Sequence, residues 1–381
     1  MRSFQVCRCG EPLQLNEKPT PKPAGTEVLL KIIAAGVCHS DLHIWDGFYE
    51  LGQGKRLDLL ARGIKLPLTM GHENVGEVVA AGPDAKGVKI GARMLAHPWM
   101  GCGECAVCKT GDEQLCKTPR NLGVFSDGGY ADYMIVPHSR YLFDIGDLPP
   151  EKVAPLACSG ITTFGALKKA GAIIKDEPVV IIGAGGLGLM CMALNKMMGN
   201  KGAIVVDIDP AKREAAMTAG AIAVVDGKAE DAAKQIIELT NGGAWAVIDY
   251  VGSSATVQLG VDSITKGGKV IVVGLFGGDI TVSTPFFPLR AMAIQGSYVG
   301  SLPEMKELLE LVRAKGLPPI PLRTRRLEEV GSALDDLRAG KVIGADAGRL
   351  IPPLKGEGGD EQSEAPGGVI SPALHFPTRP R

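Results

Sequence analysis

Pro178-Val-Val-Ile-Ile-Gly-Ala-Gly-Gly-Leu-Gly188 decides the fold of this chain. Pro178–Ile182 reads as a buried strand, and Leu187–Met198 follows as a helix with no early proline. Between them lies G-x-G-x-x-G, which alone would fit an ordinary turn but in this setting reads as a dinucleotide site. Gly183 permits the tight turn, Gly185 lets the backbone approach a pyrophosphate, and Gly188 lets helix and sheet pack closely. Gly186 and Leu187 complete the turn, where free amides at the helix start face the phosphates.

Outward from this turn, Ala203–Val206 is the next strand and Asp207 ends it. A carboxylate there accepts from both adenosine ribose hydroxyls and repels a 2′-phosphate, so NAD is expected over NADP. Asp209 is a neighbouring alternative, and a loop-start carboxylate is the plain one. Lys212 and Arg213 leave some room for a phosphate. Further strands are expected at Ala221–Val225, Ala244–Ile248, Val270–Val273 and Met292–Ile294, with helices at Lys212–Ala219 and Ala229–Leu239. This alternation predicts a doubly wound parallel sheet covered on both faces, an α/β fold.

Residues 1–150 differ. Glu27–Ala34, Gly76–Ala81 and Tyr130–Val136 are short β-like runs broken by Gly and Pro, as in an irregular, barrel-like β domain. Gly47–Leu68 has no clean period and reads as a surface excursion with a short helix. Pro303–Ala314 reads as an amphipathic helix. The segment after Pro353 is rich in Pro, Gly and charge, and reads as a flexible tail.

The chain has 381 residues, 45% hydrophobic and 22% charged, with a formal net charge of -1. That length suggests two domains. No basic stripe points to nucleic acid, and no apolar run approaches a membrane span or signal peptide. Nine cysteines in a chain this long are too sparse for a disulfide scaffold and point to metal ligation in a reducing, cytoplasmic compartment. Four of them, Cys102, Cys105, Cys108 and Cys116, lie within 15 residues and read as a closed structural zinc site. Cys38, His72 and Cys158 form a second candidate set, with two thiolates, one imidazole and an open fourth position. For Cys158 alone, a buried apolar thiol is the alternative.

GVCHSD (36–41), GHENVG (71–76), the four-cysteine lobe, PLACSG (155–160) and GAGGLG (183–188) together resemble the zinc-dependent medium-chain alcohol dehydrogenases, over roughly residues 22–350. The resemblance implies a GroES-like irregular β-barrel catalytic domain over 1–158, with the structural zinc lobe near 97–120. It implies a Rossmann domain over 159–295 and a return to the catalytic domain over 296–350, leaving 351–381 as the tail. It implies two zinc ions per subunit, one of them catalytic on Cys38, His72 and Cys158. Glu73 is then a neighbouring carboxylate or transient ligand, and Asp41 holds the free ring nitrogen of His72.

The implied reaction moves a hydride between a small-molecule alcohol and NAD, with zinc acidifying the alcohol. Ser40 takes the alcohol proton and His43 exchanges it with solvent; a capping Ser and an exposed His are the alternatives. His39 contacts the pyrophosphate. Many relatives carry an Arg for the cofactor phosphates where Ala345 stands here, and Arg349 is a possible substitute. Trp45, Phe48 and Trp99 are expected to line an aromatic pocket suited to apolar alcohols, or else merely to pack the barrel. A homodimer or homotetramer is expected, with the strand near Met292–Val299 pairing across a two-fold axis. The rival readings are a zinc-independent reductase and a non-catalytic protein on the same fold.

Overall fold

Val179–Ile182 forms a strand whose four side chains are all buried, the centre of a six-stranded parallel sheet. The computed structural model describes residues 1–342 and the backbone of Ala345–Gly348. Across the sheet the strands run Ala223–Asp226, Ala203–Asp207, Val179–Ile182, Ala244–Asp249, Ile264–Val272 and Ala293–Gly296. Chain order therefore reverses between the first and fourth strands. In doubly wound sheets, ligands bind at the carboxyl ends of the strands beside such a switch point.

Two elements differ from the sequence expectation. Ile264–Val272 begins well before the apolar run at Val270, because Lys266-Gly267-Gly268 hides its first half. Ser159–Ala170 is a twelve-residue helix, and nine of its residues are buried. It packs against Gly186–Met197 and Leu302–Lys315, so it shows no exposed face and no amphipathic period.

The N-terminal half is organised by the ten-residue strand Val28–Val37. Glu73–Ala81 pairs along one edge, and Tyr133–Val136 and Ala345–Gly348 share the other. Ala345–Gly348 pairs with Ala35–Val37, so the chain returns to the β-rich half after the parallel sheet. Register shifts between Leu29/Leu30 and Ile32/Ala34 bring Gly36 opposite Glu73. Arg349 and the tail from 351 lie outside the described residues.

Gly47–Leu68 contains no helix. Phe48–Gly52 and Lys55–Asp58 form an antiparallel hairpin instead. Most of its side chains are exposed or half-buried, so no hydrophobic alternation marks it. Its tip meets the loop after the Ile264–Val272 strand. A Cβ on Gly52 would stand 2.7 Å from Gly278 Cα, a Cβ on Gly277 would stand 2.6 Å from the Glu50 carbonyl oxygen, and Gln53 donates to Asp279.

Candidate active site and metal centres

Cys38 ends the central barrel strand and caps the helix His39–Asp46. His72 precedes Glu73, where the partner strand begins. Cys158 precedes the buried helix Ser159–Ala170. These elements bring the ligand atoms of Cys38, His72, Glu73 and Cys158 within 4.8 Å of one another. The two sulfurs are 3.7 Å apart. Thiolates at Zn–S of about 2.3 Å in a tetrahedron stand about 3.8 Å apart, so the pair has the spacing zinc requires.

His72 supplies the deciding test of fit. Its Nδ1 lies 3.1 Å from Asp41 Oδ1, while its Nε2 is buried with no protein partner among the described residues. Asp41 Oδ2 accepts from the Cys38 amide at 2.9 Å and from the Tyr130 hydroxyl at 2.8 Å. Asp41 thereby fixes the tautomer that leaves Nε2 as a donor to a metal. The hydrogen bond from Cys158, with His72 nearby, holds the Cys38 thiol well below its usual range. Burial pushes the Glu73 carboxyl well up. A Cβ on Gly36 would lie 1.8 Å from Glu73 Oε2, so only glycine leaves room for that carboxylate. Tyr130 escaped the sequence reading because a lone Tyr in a β-like run gives no sign of its target.

Cys102, Cys105, Cys108 and Cys116 form a second four-donor cluster, its sulfurs all within 4.8 Å of one another and three of the pairs 3.4–3.9 Å apart. Amides of Glu104 and Cys105 donate to Cys102 Sγ, and those of Cys102 and Thr118 to Cys116 Sγ. Backbone amides hold Cys102 below its usual range. At Cys116 burial opposes, but hydrogen bonds from Thr118 and the Cys102 amide prevail and bring it to about 6. Amides aimed at sulfur favour thiolates, the form that binds metal. All four positions of a tetrahedral ion are filled by protein, which suits a structural site.

Gly183 lies at φ +96, and a Cβ on Gly188 would strike the Gly183 carbonyl oxygen at 2.0 Å. Beside Gly185 nothing stands within 4 Å, so the backbone is open for a phosphate at the start of the Gly186–Met197 helix. Asp207 Oδ2 accepts from the Ala184 amide at 2.8 Å and Oδ1 from the Asp209 amide at 2.9 Å. Asp209 itself caps the helix Pro210–Thr218. Arg213 is held by Asp226 at 3.1 Å and by the Asp207 carbonyl. Lys212 is half-buried and makes no ion pair among the described residues.

His39 is exposed, Ser40 is half-exposed, and the His43 ring lies 5.7 Å from that of His39. The three expected pocket aromatics separate. Trp99 is buried 5.3 Å from the His72 ring and donates to the Ala157 carbonyl. Trp45 packs in the barrel core, donates to the Glu11 carbonyl and carries Arg338 over its ring. Phe48 is covered by Arg56. Neighbouring Tyr49 stands over His43 instead, at 4.5 Å. Successive strand residues point to opposite faces, so Phe48 and Tyr49 face opposite ways.

Residues 24–147 match the Alcohol dehydrogenase GroES-like domain, and residues 186–314 match the Zinc-binding dehydrogenase family. The chain belongs to the zinc-binding medium-chain alcohol dehydrogenase family. A member of that family, the NAD-dependent alcohol dehydrogenase of Sulfurisphaera tokodaii, is 39% identical over 92% of this chain and 100% of its own length. The NAD-dependent alcohol dehydrogenase of Saccharolobus solfataricus is 38% identical over the same shares. The crystal structure of the alcohol dehydrogenase from Aeropyrum pernix superposes with a TM-score of 0.81 at 31% identity, covering 92% of this chain and 100% of that one. As a family member the chain has two candidate zinc sites, matching its two clusters.

Proposed function

We infer that this chain is an oxidoreductase that moves a hydride reversibly between an alcohol and NAD+, giving an aldehyde or ketone and NADH. The observation that carries the reading is the orphaned His72 Nε2 beside a thiol pair spaced for zinc. Bound there, zinc supplies a Lewis acid for the substrate oxygen, and NAD supplies the hydride acceptor.

The residues around that cluster have distinct tasks. Cys38, His72 and Cys158 would hold the ion, with the Glu73 carboxylate beside them as a further donor. Asp41 and Tyr130 orient His72. Ser40 has no protein partner for its hydroxyl among the described residues, so it is free to take the alcohol proton. His43 lies one helical turn on, on the same face. Burial, with His39 adding to it, lowers His43 below its ordinary value. The ring is therefore neutral at pH 7 and able to accept that proton. Gly183, Gly185, Gly186, Leu187 and Gly188 carry the pyrophosphate with His39, and Asp207 holds the adenosine ribose with Lys212 on the helix that follows it. Trp99 forms the floor of the substrate pocket.

The Ala293–Gly296 edge strand is largely exposed and follows a short helix, Phe286–Arg290, whose Phe286, Phe287 and Leu289 are exposed. An open sheet edge flanked by exposed apolar rings suits pairing with a second copy about a two-fold axis, giving a homodimer. Leu289→Asp should then halve the mass measured by light scattering.

NADH formation from a panel of alcohols, with and without a strong chelator, tests the enzymatic reading. Turnover that requires zinc is the expected result. Turnover indifferent to complete zinc removal would favour the zinc-independent reductase, and no turnover by the zinc-loaded chain with any alcohol would overturn the reading.

A further inference from the structure

Outward from His72, Trp99 carries a second ring on its other side. The Tyr298 ring meets it edge-on, with centroids 5.9 Å apart. Tyr298 leaves the edge strand just before Val299, whose φ is +36. A β-branched residue takes that conformation only under strain, and such strain persists where surrounding packing enforces it. Val299 is buried in the larger core, so the turn is anchored and Tyr298 is lifted out above Trp99, 48% exposed.

Behind Tyr298 stands Asn121, which is buried. Its Oδ1 accepts from the Met100 amide at 3.0 Å, which fixes which way the side-chain amide points. Its Nδ2 then donates to the Tyr298 hydroxyl at 3.5 Å. The Tyr298 oxygen is thus an acceptor toward Asn121, and its own proton has no acceptor among the described residues. From the hairpin, Tyr49 brings a second phenol whose hydroxyl also has no partner among the described residues. Ring contacts set Tyr298 against Trp99, itself 5.3 Å from the His72 ring, and Tyr49 over His43 on the helix that Cys38 caps. Partial burial raises both phenols, Tyr298 to about 12. Both therefore stay protonated, and able to donate, throughout the neutral range.

We propose that Tyr298, backed by Asn121, and Tyr49 are specificity-determining residues that select alcohols carrying a second oxygen acceptor remote from the reacting carbon, with a flat apolar body lying against Trp99. The substrate class is an alcohol, or its carbonyl product, bearing an ether, carbonyl or hydroxyl oxygen at its far end. This rests on the alcohol-oxidising reading above. A hydroxyl with no protein acceptor favours a substrate that supplies one over a substrate that does not.

The test is kcat/KM for 3- and 4-methoxybenzyl alcohol relative to unsubstituted benzyl alcohol, with NAD+, on zinc-loaded wild type, Tyr298→Phe and Tyr49→Phe. Comparing each variant with wild type cancels the electronic effect of the methoxy group. The expected result is a fall of about 10-fold in the methoxy-to-unsubstituted ratio for at least one variant, carried mainly by KM. A merely structural tyrosine would slow all the alcohols alike and leave the ratio unchanged, which would overturn the proposal. A ratio unchanged in both variants while wild type oxidises benzyl alcohol sinks this inference alone. No oxidation of any alcohol by wild type would sink the functional reading with it. Melting curves that match wild type show that the variants are folded.

Discussion

Nδ1 of His72 lies 3.1 Å from Oδ1 of Asp41, and both side chains are fully enclosed. The same carboxylate holds the Cys38 amide and the Tyr130 hydroxyl, so one acid sets two of the metal donors. Asp41→Asn should weaken zinc at this centre by about 10- to 100-fold, read as zinc released to a competing chelator. The four-cysteine zinc should stay bound. Tyr130→Phe keeps the acid and should show a smaller loss. Equal retention of both ions in Asp41→Asn would refute the orienting role.

A Cβ on Gly101 would stand 2.5 Å from Cys108 Sγ and 2.9 Å from Cys116 Cβ. Gly101→Ala should therefore open the four-cysteine cluster. Metal analysis should fall from two zinc ions per chain to about one, and the melting temperature should drop by several degrees, since structural zinc contributes folding energy directly. If both ions remain, the lobe tolerates more than its geometry implies.

Asp207 stands where an adenosine ribose is expected, and it also braces the Ala184 amide in the glycine turn. Asp207→Ala should raise KM for NAD+ by about 10-fold or more and narrow the preference over NADP+. Gain of NADP+ activity should be small, because Arg213 stays tied to Asp226. Unchanged discrimination in steady-state kinetics would remove Asp207 from the ribose.

Burial lowers the fully enclosed His97 from its ordinary 6.5 to about 3. Between these values the unfolded chain binds a proton that the folded chain refuses, so stability rises with pH. The contribution is intact above about pH 6.5 and is lost as pH falls toward 3. The effect is on the order of a few kcal/mol at the acid end. His97→Phe should flatten the urea-melt stability profile below pH 6.5 relative to wild type. Parallel profiles would show that His97 is not what makes the chain acid-sensitive.

The glycine turn was legible because everything it needs is local: an apolar strand, a φ that only glycine takes easily, and a helix start, all within a dozen residues. The metal donors were legible in their spacing and family resemblance. Tyr49 and Tyr298 were not. The hairpin around Tyr49 is exposed on both faces and its register slips between Glu50 and Gly52, so no alternation reveals which ring turns inward. Tyr298 owes its place to a strained turn at Val299, which no propensity announces. The Ser159–Ala170 helix was hidden for the opposite reason, since burial on nearly every side erases the polar face that marks a helix.

At the hairpin tip, Gly52 meets Gly278 and Glu50 meets Gly277 backbone to backbone, and among the described residues Gln53 and Asp279 are the one side-chain pair hydrogen-bonded across the contact. Parting the hairpin tip from this loop breaks one side-chain hydrogen bond among the described residues, that from Gln53 to Asp279. A side chain at Gly52 would strike the Gly278 backbone and one at Gly277 the Glu50 carbonyl, so hairpin and loop meet this closely only as bare backbone.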